Sequence, residues 1–356
     1  MDNRSLEQYA EDIYTCNRTR CGFCVDECPV HRIKGMEAYS SRGKMMLARG
    51  LLEGIIEPST EVQEVLEACL LCGHCQARCA LNNLDIFTAL RQRMAEKEFY
   101  AQEHLKKVMK MLDAGRLFDR PAHLEREGTV PLYLGCLYQS KPIETRTIIS
   151  VLERCGIDPL VVEEVCCGYL AEATGFHAQF EDIRERFRAT YGNHSDQEIL
   201  TLCPTCTVAL TESHGLNAKH AILAVAERIG QLNPRQLDLQ ATYHDPCHLG
   251  RMLGVFDEPR DVLRALGVVL TEMEQNRVFS SCCGGGGGVA DIDQTLALEI
   301  AKNRIRDAMR VGVENIITLC PTCEPTLLRG ASRLANETGV FVDVQGVWDL
   351  LDEALN

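Results

Sequence analysis

Ile199-Leu-Thr-Leu-Cys-Pro-Thr-Cys206 returns later in the chain as Ile316-Ile-Thr-Leu-Cys-Pro-Thr-Cys323. Each copy is a short apolar, β-branched run that stops at a cysteine. That pattern reads as a buried strand delivering a thiol at its carboxyl end. Working outward, Pro131-Leu-Tyr-Leu-Gly135 leads to Cys136, and Leu160-Val-Val-Glu-Glu-Val165 leads to Cys166. In the second copy, Ala241-Thr-Tyr-His-Asp245 leads to Cys247, and Arg277-Val-Phe-Ser280 leads to Cys282. Helical stretches over about 142–154 and 173–189 fall between the first runs. Equivalent cysteines are offset by 111 residues (136 to 247), 116 (166 to 282) and 117 (203 to 320). Such self-similarity implies duplication. The order strand, helix, strand predicts two Rossmann-like α/β halves, 129–240 and 241–356, packed about a pseudo-twofold axis. Sites in such sheets gather beyond the carboxyl ends of the strands.

Each half carries a matching set of five cysteines: Cys136, Cys166, Cys167, Cys203 and Cys206, then Cys247, Cys282, Cys283, Cys320 and Cys323. Five thiolates exceed the four that a cubane needs. Side chains of adjacent cysteines are expected to diverge, which suits ligation of different irons or bridging in one unusual cluster. Gly168 follows the first pair, and Gly284 to Gly288 follow the second. Gly168, Gly284 and Gly285 are read as cofactor-binding, because glycine lets backbone N–H groups approach sulfur.

Upstream, Cys69-x2-Cys72-x2-Cys75-x3-Cys79 has the spacing of a bacterial ferredoxin half-motif. Cys16-x4-Cys21-x2-Cys24-x3-Cys28-Pro29 matches it except for two extra residues after Cys16, and Ala80 stands where the second set would have proline. In that motif the fourth cysteine ligates the other cluster. One [4Fe–4S] cubane is therefore assigned Cys16, Cys21, Cys24 and Cys79, and the other Cys69, Cys72, Cys75 and Cys28. Four-cysteine zinc sites are the rival, but the repeated x2-x2-x3 core is far more specific than paired C-x2-C. Residues 1–85 are read as a helical two-cluster, ferredoxin-like domain. Residues 86–128 follow as a connecting helix, with an apolar stripe including Ile86, Leu90, Met94, Val108 and Leu112, and a polar linker over 120–128. Cys155 belongs to no set and is expected to be a buried core thiol. Arg42 and Lys44 are expected to offset cluster charge. His244 and His248 flank Cys247, as either packing residues or a proton donor.

The chain has 356 residues, 19 of them cysteine, and a net charge of −14. The acidity argues against nucleic acid. A secreted disulfide scaffold is usually shorter, and the polar, acidic Met1–Ala10 is unlike a signal peptide. No apolar run is long enough to span a membrane. A cytoplasmic protein is expected, with any membrane association made through a partner.

The arrangement Cys–CysCysGly–CysProxCys, twice, resembles the cysteine-rich CCG-domain iron–sulfur family. That family includes catalytic subunits of heterodisulfide reductases and the iron–sulfur subunits of glycolate, lactate and glycerol-3-phosphate dehydrogenases. Two ferredoxin motifs ahead of two CCG halves are most similar to the D-type subunits of heterodisulfide reductases. One departure is the first gap: 29 residues lie between Cys136 and Cys166, against 34 between Cys247 and Cys282. The resemblance implies that each five-cysteine set is catalytic and holds a noncubane [4Fe–4S] cluster. Electrons would enter through the cubanes. The coenzyme M–coenzyme B heterodisulfide would be cleaved to two thiols between the noncubane pair. The alternative is a non-catalytic relay subunit of a flavin-dependent hydroxy-acid or glycerol-3-phosphate dehydrogenase. No G-x-G-x-x-G fingerprint follows a strand, so the donor is a separate subunit: a membrane cytochrome b, a flavin protein or a ferredoxin.

Overall fold

The computed structural model describes residues 5–118, 124–161, 164–194 and 196–356. Helices occupy the first third. Among them are α1 (Ala10–Thr19), α2 (Pro29–Lys34), α3 (Ser41–Leu52), α4 (Thr60–Glu67), α5 (Asn83–Glu96) and α6 (Gln102–Ala114). Local chemistry sets their ends. The Ser40 hydroxyl accepts from the Gly43 N–H at the start of α3, and Ser59 does the same for Val62 at α4. Pro29 opens α2, where its missing N–H costs nothing, and Gly35 closes it in the left-handed conformation. Ile13, Met45, Leu66, Ile86, Phe87 and Leu90 form a common apolar core. The single connecting helix expected from residue 86 is two helices, because Glu98 turns the chain at a positive φ of 65°.

Two four-stranded, all-parallel sheets follow. The first comprises β1 (Val130–Tyr133), β2 (Pro159–Leu160), β3 (Ile199–Thr201) and β4 (Ala218–His220), in the order β2-β1-β3-β4. The second comprises β5 (Gln240–Tyr243), β6 (Val269–Leu270), β7 (Asn315–Thr318) and β8 (Asp343–Gly346), in the matching order β6-β5-β7-β8. The duplication read from the sequence is therefore the architecture. The helix Pro142–Arg154 of the first half packs on Val347–Leu355 of the second. Reciprocally, Ala221–Ile229 packs on Asp257–Ala265. This exchange is what a pseudo-twofold axis produces, and it buries Leu152, Ile222, Val225, Leu263 and Leu351 in one shared core. Each such aliphatic side chain contributes about 1.5–3 kcal/mol of burial free energy.

Three local expectations change. Arg277–Phe279 is a 3-10 turn, not a strand: Arg277 takes φ 52° and donates its N–H to Asp245 Oδ2 at 2.8 Å. The strand in that role is β6, pairing with Gln240 and Ala241. Of the run 160–165, only Leu160 pairs in the sheet, while Val161 bridges antiparallel to Arg126; Val162 and Glu163 lie outside the described residues. Of the linker 120–128, residues 120–123 also lie outside them, but Leu124 is buried in the core and Arg126 is paired to Val161, so its described end is anchored. Cys155 is buried in the shared core as expected.

Candidate iron–sulfur site

All ten cysteines of the duplicated sets lie at or beyond strand ends, where parallel sheets open. Their thiols form two matching chains of side-chain contacts. In the first half the order is Cys136, Cys166, Cys167, Cys206, Cys203. In the second it is Cys247, Cys282, Cys283, Cys323, Cys320. Cys167 Sγ and Cys206 Sγ stand 3.6 Å apart. The adjacent pairs, Cys166–Cys167 and Cys282–Cys283, lie within hydrogen-bond reach of each other, so they converge where divergence was expected. Glycine N–H groups reach both thiols of the second pair: Gly284 N–H points to Cys282 Sγ at 3.5 Å, and Gly285 N–H to Cys283 Sγ at 3.4 Å. At the first pair, the Gly168 backbone bonds Cys166.

Both sets line one cavity of about 290 Å³. Leu117, Leu137 and Leu170 give it apolar walls, and Lys107 and Arg329 add cations. Tyr169 and His248 bridge the halves inside it, with Tyr169 Oη 3.0 Å from His248 Nε2 and Cys247 Sγ 3.5 Å from His248 Nδ1. Burial pulls the His248 imidazole down, but the Cys247 charge and hydrogen bond outweigh it and leave its pKa raised. Burial pushes the Tyr169 phenol well up.

The upstream cysteines sort into crossed groups. Burial raises Cys16 to about 11, and its neighbouring thiols are Cys24, Cys79 and Cys21. Cys28 instead neighbours Cys69 and Cys72, and Cys75 neighbours Cys72, Cys69 and Cys28; burial raises both. The Lys44 ammonium, 1% exposed, lies beside Cys28 and over the Phe87 ring. The Arg42 guanidinium is near Cys16 and Cys24 and holds Glu37 at 2.5 Å. The second crossed group touches the second half directly: Cys72 shares a hydrogen bond with Cys282, which, with Arg251 nearby, lowers Cys72 to about 7. Arg251 also bonds the Cys72 carbonyl at 2.8 Å and the Ser280 carbonyl at 2.6 Å.

Sequence reasoning passed over Arg91. It is buried in α5 and donates to the carbonyls of Leu66, Glu67, Cys69, Ala173 and Gly287. Its spacing from Phe87 and Met94, both buried, is the signal that it faces inward.

Residues 130–211 and 241–327 match the cysteine-rich CCG domain, and residues 12–83 match the 4Fe-4S dicluster domain. The chain thus carries two cysteine-rich CCG domains behind a 4Fe-4S dicluster domain. The chain is similar to the D-type subunit of the dihydromethanophenazine:CoB–CoM heterodisulfide reductase of Methanosarcina mazei. That protein is 29% identical over 95% of this chain and 93% of its own length. The B-type subunit of the fumarate reductase (CoM/CoB) of Methanothermobacter marburgensis is 29% identical over 94% of this chain and 71% of its own. An EtfAB:quinone oxidoreductase of Syntrophomonas wolfei is 30% identical over 62% of this chain and 34% of its own. This CCG chain is thus an iron–sulfur oxidoreductase related to the D-type heterodisulfide reductase subunits, and relatives named as subunits imply partner subunits. Among the described residues no helix is long and apolar enough to cross a membrane.

Proposed function

We propose that this chain is the disulfide-cleaving subunit of a heterodisulfide reductase acting on the coenzyme M–coenzyme B disulfide. The observation that carries the reading is the single cavity lined by thiols of both five-cysteine sets. Two isolated relay centres would not need their ligand sets to face a common space. The donor sets fit the implied groups: two crossed four-thiol groups suit cubanes, and two contiguous five-thiol chains suit noncubane clusters. When bound, these four clusters supply one-electron carriers.

The protein's own residues do the rest. The Cys72–Cys282 contact brings the entry module against the second half. Leu117, Leu137 and Leu170 exclude water and orient an organic disulfide between the sets. Cleavage consumes one disulfide, two electrons and two protons and yields two thiols. His248, held between Cys247 Sγ and Tyr169 Oη, keeps a proton at the cavity wall. The electron donor is a separate subunit, of the cytochrome b, flavin or ferredoxin type, and the chain works in the cytoplasm.

The test uses anaerobic, iron-replete chain with a reduced low-potential dye. The heterodisulfide should be cleaved to two thiols. Cys136→Ser and Cys247→Ser should each remove most turnover, and the double variant should be hardly worse, as for groups acting as one unit. Clusters that the dye reduces but the disulfide fails to reoxidise would instead assign the relay role in a flavin-dependent dehydrogenase.

A further inference from the structure

His244, Cys283 and Cys323 bring their ligand atoms within 4.8 Å of one another, all buried. Such a trio looks like a metal site with an imidazole ligand. One bond rules against that. Arg304, itself buried, donates Nε–H to His244 Nδ1 at 3.1 Å. The Nδ1 lone pair is therefore engaged, and a neutral ring must carry its proton on Nε2. A protonated Nε2 has no lone pair to give a metal. Among the described residues, Nε2 is buried with no hydrogen-bond partner, and the Cys283 and Cys323 thiols lie within 4.8 Å of the ring's ligand atom. Arg304 is itself fixed, by Gln275 O at 2.9 Å and Asp307 Oδ2 at 3.4 Å, so the ring is held from behind.

The pseudo-twofold equivalent of His244 is Tyr133. Each lies three residues before the leading cysteine of its set. In the sheets, Tyr133 pairs with Thr201, and the residue before His244 pairs with Ile317, one short of the matching Thr318. Tyr133 also lies beside the matching thiols, Cys167 and Cys206. Yet its hydroxyl is directed away from sulfur and donates to the Val165 carbonyl at 2.8 Å. The two halves thus differ at one symmetry-related position: an unpartnered, buried N–H lies beside the thiols of the second set, whereas the O–H beside those of the first is already spent on a carbonyl.

We propose that His244 is a positioning residue that donates Nε2–H to the Cys283 thiolate, and so makes the second set the more easily reduced of the two. The inference rests on the reading that the set holds a cluster. A hydrogen bond to thiolate sulfur stabilises the more negative, reduced form and raises its potential. The second set is also the one touched by Cys72, so the electron arrives where it is better held.

The experiment is a potentiometric titration, followed by electron paramagnetic resonance, of the full iron-loaded chain, its His244→Leu variant and its His244→Gln variant. Leucine should lower the midpoint of one CCG-type signal and leave the other in place. Glutamine, which keeps an N–H, should restore most of the shift. In protein labelled with 15N-histidine, the coupling to that signal should be the weak one of an N–H donor. An unchanged midpoint in the leucine variant at full iron load, or the strong coupling of a directly bound nitrogen, would overturn the proposal. Wild-type protein without iron in this set would instead overturn the cluster reading, and the inference with it.

Discussion

Arg91 Nη1 donates to the Gly287 carbonyl at 2.8 Å, although 196 residues separate them in the chain. The same guanidinium holds Cys69 O at 2.7 Å and Ala173 O at 2.7 Å. One cation therefore ties the ferredoxin-type loop to both α/β halves. Burial lowers its pKa, so its charge is costly, but the ring of carbonyls compensates it.

Replacing Arg91 with Met should leave at least three buried carbonyls without a donor. At about 1–3 kcal/mol for each unsatisfied group, the loss should reach about 3 kcal/mol or more. Lysine offers one donor centre in place of a planar fork and should recover little. Urea unfolding of the iron-loaded chain measures this, and a midpoint equal to wild type would show that the carbonyls have other partners.

Crossed ligation makes a pairing prediction. Cys16→Ser and Cys79→Ser should weaken the same cubane signal, although 63 residues separate them, because Cys16 has Cys79 as a neighbour. Cys28→Ser should weaken the signal that Cys69→Ser weakens. If Cys16 and Cys28 variants instead affect one common signal, each motif ligates its own cluster and the crossed assignment is wrong.

Cofactor load follows from the same thiol groups. Anaerobically prepared protein should carry about 16 irons and a similar amount of sulfide, four per [4Fe–4S] cluster. Stoichiometric zinc with little iron would reject the assignment.

The thiol sets were legible because cysteine spacing is a local property: eighteen positions and the duplication follow from sequence order alone. The parallel sheets were legible through Ile199–Thr201 and Asn315–Thr318, whose apolar runs are unbroken. The edge strands β4 and β8 were not, because Ala-Lys-His and Asp-Val-Gln-Gly are too short and polar to signal a strand. Docking was hidden for a different reason. Arg251 reaching Cys72, and Arg91 reaching Gly287, are contacts between distant segments, and a single sequence carries no pairing information for them. The five-glycine run shows both sides. Its first two N–H groups point to sulfur, but its later members serve packing, which no spacing signals.

That packing supplies the last prediction. A Cβ on Gly287 would fall 2.4 Å from Cys69 O, and one on Gly286 would fall 2.7 Å from Leu70 O. Backbone cannot move aside as a flexible side chain can, and Gly287 also has φ 60°, which strains any other residue. Gly287→Ala should therefore push the Cys69–Cys72 loop away from the second half and cost about 1–3 kcal/mol. The Cys72–Cys282 contact lies at the end of that loop, so electron delivery should suffer more than folding. In rapid-mixing experiments, reduction of the CCG-type signals through the ferredoxin-type clusters should slow. The spectra of all clusters should persist, because Gly287 supplies no thiol. Gly312→Ala is the control: it has a similar φ of 77° but no atom within 4 Å of a Cβ, so it carries the backbone strain without the clash. Equal electron-transfer rates in the two variants would show that close approach of the glycine run does not set the docking.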